Sequence, residues 1–111
     1  MEEQRGSAVY KRQVARGGPA RKPKLVVFYS PTSGRCRRTE ANLAHVLQRR
    51  RNHQAFEVVR VDVGKRPDLA ERFRIEVLPT LLVIEAGRVV GCFVSPRGTA
   101  DLERDLAHWL A

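Results

Sequence analysis

Leu25-Val26-Val27-Phe28-Tyr29 is an unbroken apolar run, too short for a helix and rich in β-branched and aromatic residues, as a strand covered on both faces should be. Such a strand needs helices on both sides of its sheet, which points to an α/β architecture. The polar turn Ser30-Pro31-Thr32-Ser33-Gly34 follows. From Gly34 to Arg50 the pattern becomes helical, with Cys36, Leu43 and Leu47 at the spacing of an inward face and Ala44 and Val46 beside them. Arg37, Arg38, Asn42, His45 and Arg49 point elsewhere, and Arg49-Arg50-Arg51 complement the negative end of the helix dipole. Cys36 falls in the first helical turn, where unpaired N–H groups and the positive dipole end favour a negative charge. A reactive thiolate is expected in such a place.

Phe56 to Asp62 reads as a second strand, and reaching it through a helix implies a right-handed βαβ unit with parallel strands. Pro67 suits the first turn of a short helix, with Asp68 near its positive end and Leu69, Ala70 and Phe73 facing inward. Leu81 to Ile84 and Val89 to Val94, joined by Glu85-Ala86-Gly87-Arg88, form an antiparallel hairpin. Ser95-Pro96-Arg97-Gly98 ends it, and Thr99 is expected to cap a last helix with Asp101 in its first turn. Leu102, Leu106, Trp109 and Leu110 form that helix's inward face. The order of elements is β-α-β-α-β-β-α.

Two stretches carry a family resemblance. Val61 to Thr80, V-D-V-G-K-R-P-D-L-A-E-R-F-R-I-E-V-L-P-T, is close to the V-D-V-D-x-x-P-x-L-A-x-x-Y-x-I-x-x-x-P-T pattern of the thioredoxin family. Thr32-Ser33-Gly34-Arg35-Cys36 occupies the frame of that family's W-C-x-x-C, and the spacing between the two stretches fits. The chain therefore resembles the thioredoxin family from about Lys24 to Leu110. The resemblance implies a thioredoxin-like fold over 24–111, a central mixed sheet flanked by helices. It also implies that Leu78–Pro79 is the family's cis-proline loop, presenting the Leu78 backbone to an extended peptide. By the same resemblance Cys36 stands at the second, resolving cysteine and Ser33 at the first, attacking one.

The departures bear on chemistry. Thr32, Val27 and Ser95 stand where the family's reductases usually have a tryptophan, a buried acid and a glycine. Arg74 stands where a glycine often ends the short helix, at about 1 kcal/mol if a left-handed conformation is required. Reducing a disulfide by the dithiol route needs one thiolate to attack and a second thiol to release the mixed disulfide. A serine hydroxyl without a base cannot attack, so Ser33 reads as a helix cap or a hydrogen-bond donor to Cys36. Cys92, three residues before Ser95 on a strand and so roughly 10 Å from the groove, reads as a core residue.

The resemblance and the departures together lead to a protein unable to run the ordinary reductase cycle. Its groove of Ser33, Gly34, Arg35, Leu78, Pro79 and Ser95 would bind a polypeptide, with monothiol redox chemistry at Cys36, supported by Ser33, as a further expectation. A peroxiredoxin-like single-cysteine peroxidase is an alternative, because Ser-x-x-Cys resembles that family's Thr-x-x-Cys, although Tyr29 sits where the motif has proline.

Charge adds another alternative. The chain carries 21 Lys and Arg against 12 Asp and Glu, a formal net charge of +9, which suits a partner rich in phosphates or carboxylates. Nucleic acid or a ribonucleoprotein would be met by Arg37, Arg38, Arg49, Arg50, Arg51 and a flexible basic arm over residues 1–23, in which Val9, Tyr10 and Val14 could form a short edge strand. No aromatic interleaving accompanies these arginines. The 111 residues fit one domain, without an apolar span of about 18 residues or a signal-like h-region, so a soluble cytoplasmic protein without a membrane partner is expected. His45 and His53 have no further ligand at metal-binding spacing, and neither a metal nor another cofactor is expected.

Overall fold

In a computed structural model, residues 22–49, 52 and 54–110 are described. The expected arm over 1–23 lies outside them apart from Lys22 and Pro23, as do Arg50 and Arg51. The elements are β1 (Lys24–Tyr29), α1 (Gly34–Leu47), β2 (Glu57–Asp62), α2 (Pro67–Arg72), β3 (Thr80–Glu85), β4 (Arg88–Val94) and α3 (Gly98–Asp105). They form a four-stranded sheet in the order β2-β1-β3-β4. β1 and β2 are parallel, with Val26 opposite Val59, whereas β1–β3 and β3–β4 are antiparallel. The α/β class and the element order read from the sequence are those of the structure.

Alternation along β1 builds a core on each face of the sheet. Leu25 and Val27 join Leu81 and Val83 of β3 under α1 and α3, which contribute Leu43, Val46, Leu102 and Leu106. Val26 and Phe28 join Val61 and Leu82 on the opposite face, where Leu69 and Phe73 of the α2 region pack against them. Full burial of side chains such as Leu25, Phe28 and Leu81 stabilises the fold by roughly 1.5–3 kcal/mol each. The β3–β4 turn is tight because Ala86 and Gly87 both take positive φ, 55° and 75°, matching the twist of the strands they join.

Several details differ from the sequence reading. Helix α1 stops at Leu47, with Gln48 as its C-cap, so Arg49 lies beyond the helix and forms an ion pair with Glu103 of α3. Its buried face is Cys36, Thr39, Leu43 and Val46; Leu47 is half-buried and Ala44 is exposed. Thr99 does not cap α3. Arg97 holds the N-cap position without a side-chain bond, and the Asp101 carboxylate instead accepts the Arg97 backbone N–H at 2.9 Å. Cys92, expected in the core, is exposed. It sits opposite Leu82 on edge strand β4, and the side chains packed over that face come from α2, its flanking loops and strands β1, β2 and β3, with none from β4.

Candidate functional site

The site begins where β1 runs out. After Tyr29 the chain turns through Pro31 and Thr32, closed by the Ser33 N–H donating to the Ser30 carbonyl at 3.2 Å. Ser33 has extended backbone angles, φ −93° and ψ 121°, and its Oγ accepts the Cys36 N–H at 3.2 Å. It is the N-cap of α1, a position that favours serine because the hydroxyl satisfies an otherwise orphan N–H. Cys36 is therefore fixed in the first turn. Its side chain is turned inward, with 0% exposure, and the Ser30 backbone N–H donates to its Sγ at 3.5 Å.

Pro79 approaches from the other side. It precedes Thr80, which pairs with Phe28 near the end of β1, so the start of β3 and the Ser30–Ser33 turn share one edge of the sheet. The Leu78–Pro79 peptide is cis, and the Thr80 hydroxyl donates to the Val77 carbonyl at 2.5 Å. Ser95, just past β4, donates its backbone N–H to the Pro79 carbonyl at 2.7 Å. To do so it takes φ 50°, a left-handed conformation that a glycine would adopt without steric cost. Arg35 Nη1 then donates to Ser95 Oγ at 3.5 Å, tying the first turn of α1 to the segment after β4.

Arg35 and Pro79 are thus each bonded to Ser95. Ser33 and Gly34 are half-buried in the adjoining turn, and Leu78 is half-buried against the Phe28 face of the sheet. Two apolar side chains that the sequence reading did not single out belong to the same edge. Val77 is 44% exposed and Val94, paired with Thr80, is 55% exposed. Their signal was available, since Val77 immediately precedes Leu78–Pro79 and Val94 immediately precedes Ser95. Arg37 and Arg38 are exposed on α1, and Arg37 donates to the Pro31 carbonyl at 3.3 Å.

This arrangement presents an exposed, half-apolar ledge but offers little to a reaction. Among the described residues the Ser33 hydroxyl is engaged by the Cys36 N–H, with no histidine or carboxylate hydrogen-bonded to it. Beneath the turn, Val27 is buried and presents no group that accepts a proton. No set of three His, Cys, Asp or Glu among the described residues is grouped to hold a metal ion, and no helix of theirs is long and apolar enough to cross a membrane.

A family model described as Thioredoxin matches residues 3–108. A thioredoxin-like protein of Synechocystis is 34% identical over 87 residues, covering 77% of this chain and 79% of that protein. The bifunctional thioredoxin reductase/thioredoxin of Mycobacterium leprae is 31% identical over 86 residues, covering 78% of this chain, which spans 18% of that much longer protein. Among solved structures, thioredoxin 2 of Pseudomonas aeruginosa superposes with a TM-score of 0.69 at 25% identity, covering 79% of each chain.

Proposed function

The chain belongs to the thioredoxin family, and from that premise we propose that it binds an extended polypeptide in the groove beside Pro79 without running the dithiol reductase cycle. The observation that carries this reading is the bond from the Cys36 N–H to Ser33 Oγ, which makes the residue in the attacking position a helix cap. Reductive turnover needs a sulfur there to open the substrate disulfide. Ser33 supplies a hydroxyl already committed to the helix.

Binding has positive support. The Leu78 backbone beside the cis bond, the Ser95 segment and the exposed side chains of Val77 and Val94 form a ledge of the kind an extended peptide pairs with through its main chain. Gly34 and Arg35 border it from the turn. Monothiol chemistry at Cys36, or a peroxidase reaction there, has less support because the sulfur is closed off from solvent in this conformation. A surface for nucleic acid has lost part of its proposed set, since Arg49 is paired with Glu103.

Insulin reduction tests the chemical half. The native chain is expected to be inert and Ser33→Cys active; turnover by the native chain above that of Cys36→Ser would overturn the proposal. Amide shifts on adding a short uncharged peptide test the binding half, with changes expected at Leu78 and Ser95 and lost in Leu78→Asp. Val77→Asp, at an exposed position, serves the same purpose if the Leu78 variant fails to fold.

A further inference from the structure

Between α1 and the segment joining β4 to α3 lies a cleft of about 730 Å³. Arg35, Arg38 and Arg97 line it together with Thr39, Asn42 and Ser95, and no acidic residue is part of the lining. Several other arginines are paired with carboxylates: Arg49 with Glu103, Arg60 with Glu40, Arg66 with Asp68 and Arg104 with Asp101. Arg35 and Arg38 have no carboxylate partner among the described residues, Arg35 being bonded to the Ser95 hydroxyl instead, and the Arg97 guanidinium acts on the Asp101 carboxylate only through its charge, without an ion pair at bonding distance. Asp101, close to Arg97, is already engaged by the Arg97 backbone N–H and by the Arg104 guanidinium.

The backbone sharpens the charge. Helix α1 has no acid in its first turn, where Arg35, Arg37 and Arg38 crowd the positive end of the dipole. Arg38 Nη1 lies 3.5 Å from the point a Cβ on Gly34 would occupy, so this guanidinium folds back over the start of the helix. Cations at that end of a helix repel both the dipole and one another. An anion seated among them relieves both repulsions, and guanidinium groups pair with carboxylates through charge-assisted hydrogen bonds.

We infer that the cleft is a binding site for the carboxylate side chains of an acidic polypeptide. The inference rests on the groove reading above only for the path of the peptide, which passes from Pro79 to the cleft over Ser95, bonded to Pro79 through its N–H and to Arg35 through its Oγ. Single-stranded nucleic acid fits the same charge less well, because it also needs aromatic platforms on which to stack. Among the described residues those rings are occupied: Phe28 and Phe56 are buried, Phe73, Phe93 and Trp109 pack against the core, and Arg60 covers Tyr29.

Fluorescence anisotropy with a labelled octaglutamate peptide tests this at fixed low salt, with a short uncharged peptide, inorganic phosphate and single-stranded DNA as the other probes. Arg38→Gln and Arg97→Gln are each expected to weaken octaglutamate by about tenfold, with the uncharged peptide unaffected and amide shifts centred on Arg35, Thr39, Asn42 and Ser95. Equal octaglutamate affinity in the double variant would overturn the inference. So would phosphate binding in the cleft without octaglutamate binding, or DNA binding there more tightly than the peptide. Val77→Asp separates the two readings. Uncharged-peptide binding indifferent to Val77→Asp, beside octaglutamate binding lost in the arginine variants, supports the cleft with the groove reading gone; uncharged-peptide binding lost in Val77→Asp, beside octaglutamate binding indifferent to the arginines, keeps the groove and removes the cleft.

Discussion

Ser33 Oγ accepts the backbone N–H of Cys36 at 3.2 Å, so the serine holds in place the turn in which the Cys36 sulfur is buried. The bond has a measurable worth. Replacing an N-cap serine by alanine costs about 1 kcal/mol, whereas glycine costs a few tenths. Ser33→Ala is expected to lower the midpoint of thermal unfolding by roughly 4–8 °C, and Ser33→Gly by much less, in circular-dichroism melts. Equal melting of Ser33→Ala and the native chain would show that the cap contributes nothing.

The two thiols should react at very different rates. Cys36 is fully buried and Cys92 is exposed, and reaction with an aromatic disulfide reagent follows access as well as thiolate character. In the native chain one equivalent should react quickly and the other slowly. Cys92→Ser should remove the fast phase and Cys36→Ser should leave it. A fast phase persisting in Cys92→Ser would mean that Cys36 opens readily to solvent, and it would revive the monothiol reading.

Arg74 follows the α2 C-cap with φ 56°, a left-handed conformation that costs a residue with a Cβ roughly 1–2 kcal/mol. Glycine removes that cost but loses more backbone entropy on folding. The net expectation for Arg74→Gly is a stabilisation of up to about 1 kcal/mol, and Arg74→Val should destabilise, both read by chemical denaturation. Loss of stability in the glycine variant would contradict the backbone geometry.

The Asp101 carboxyl is held below its ordinary value of 3.8, chiefly because it accepts the Arg97 backbone N–H and also because Arg104 lies beside it. A carboxyl depressed on folding contributes stability that is present above its unfolded value and is lost as pH falls through its folded value. The melting difference between the native chain and Asp101→Ala should therefore be widest near neutral pH. It should narrow as pH drops below 3.8. A difference that stays constant across that range would place the effect outside the ionised carboxylate.

Leu81 is fully buried in β3, opposite Val27, and belongs to the cluster under α1 and α3. Leu81→Ala should cost about 2–5 kcal/mol, through lost transfer energy and the cavity left behind. Val94→Ala, at an exposed position of β4, should change stability by less than about 0.5 kcal/mol. The pair distinguishes core from ledge in the same denaturation experiment.

Much of the frame was legible in local pattern. The apolar run at Leu25–Tyr29, the Ser33 cap and the Ala86-Gly87 turn each state their conformation through residues a few positions apart. The end of α1 was less legible, because Gln48 and the arginines after it are good helix formers, and the partner of Arg49 beyond the helix, Glu103, lies far along the chain. Thr99 looked like a cap because threonine caps well, yet Gly98 starts α3 one residue earlier and Asp101 takes over the Arg97 N–H.

The amino-acid order by itself determined which segments are strands, where the first helix begins, and that a serine stands three residues before Cys36, since these depend on steric and hydrogen-bonding preferences between near neighbours. Only the tertiary structure decided that Cys92 faces out and that Arg35, Arg38 and Arg97 line one cleft. Exposure depends on which helix covers which strand. The gathering of like charges depends on the sheet bringing the segment after β4 against the start of α1, a contact 60 residues apart in the chain that no local periodicity records.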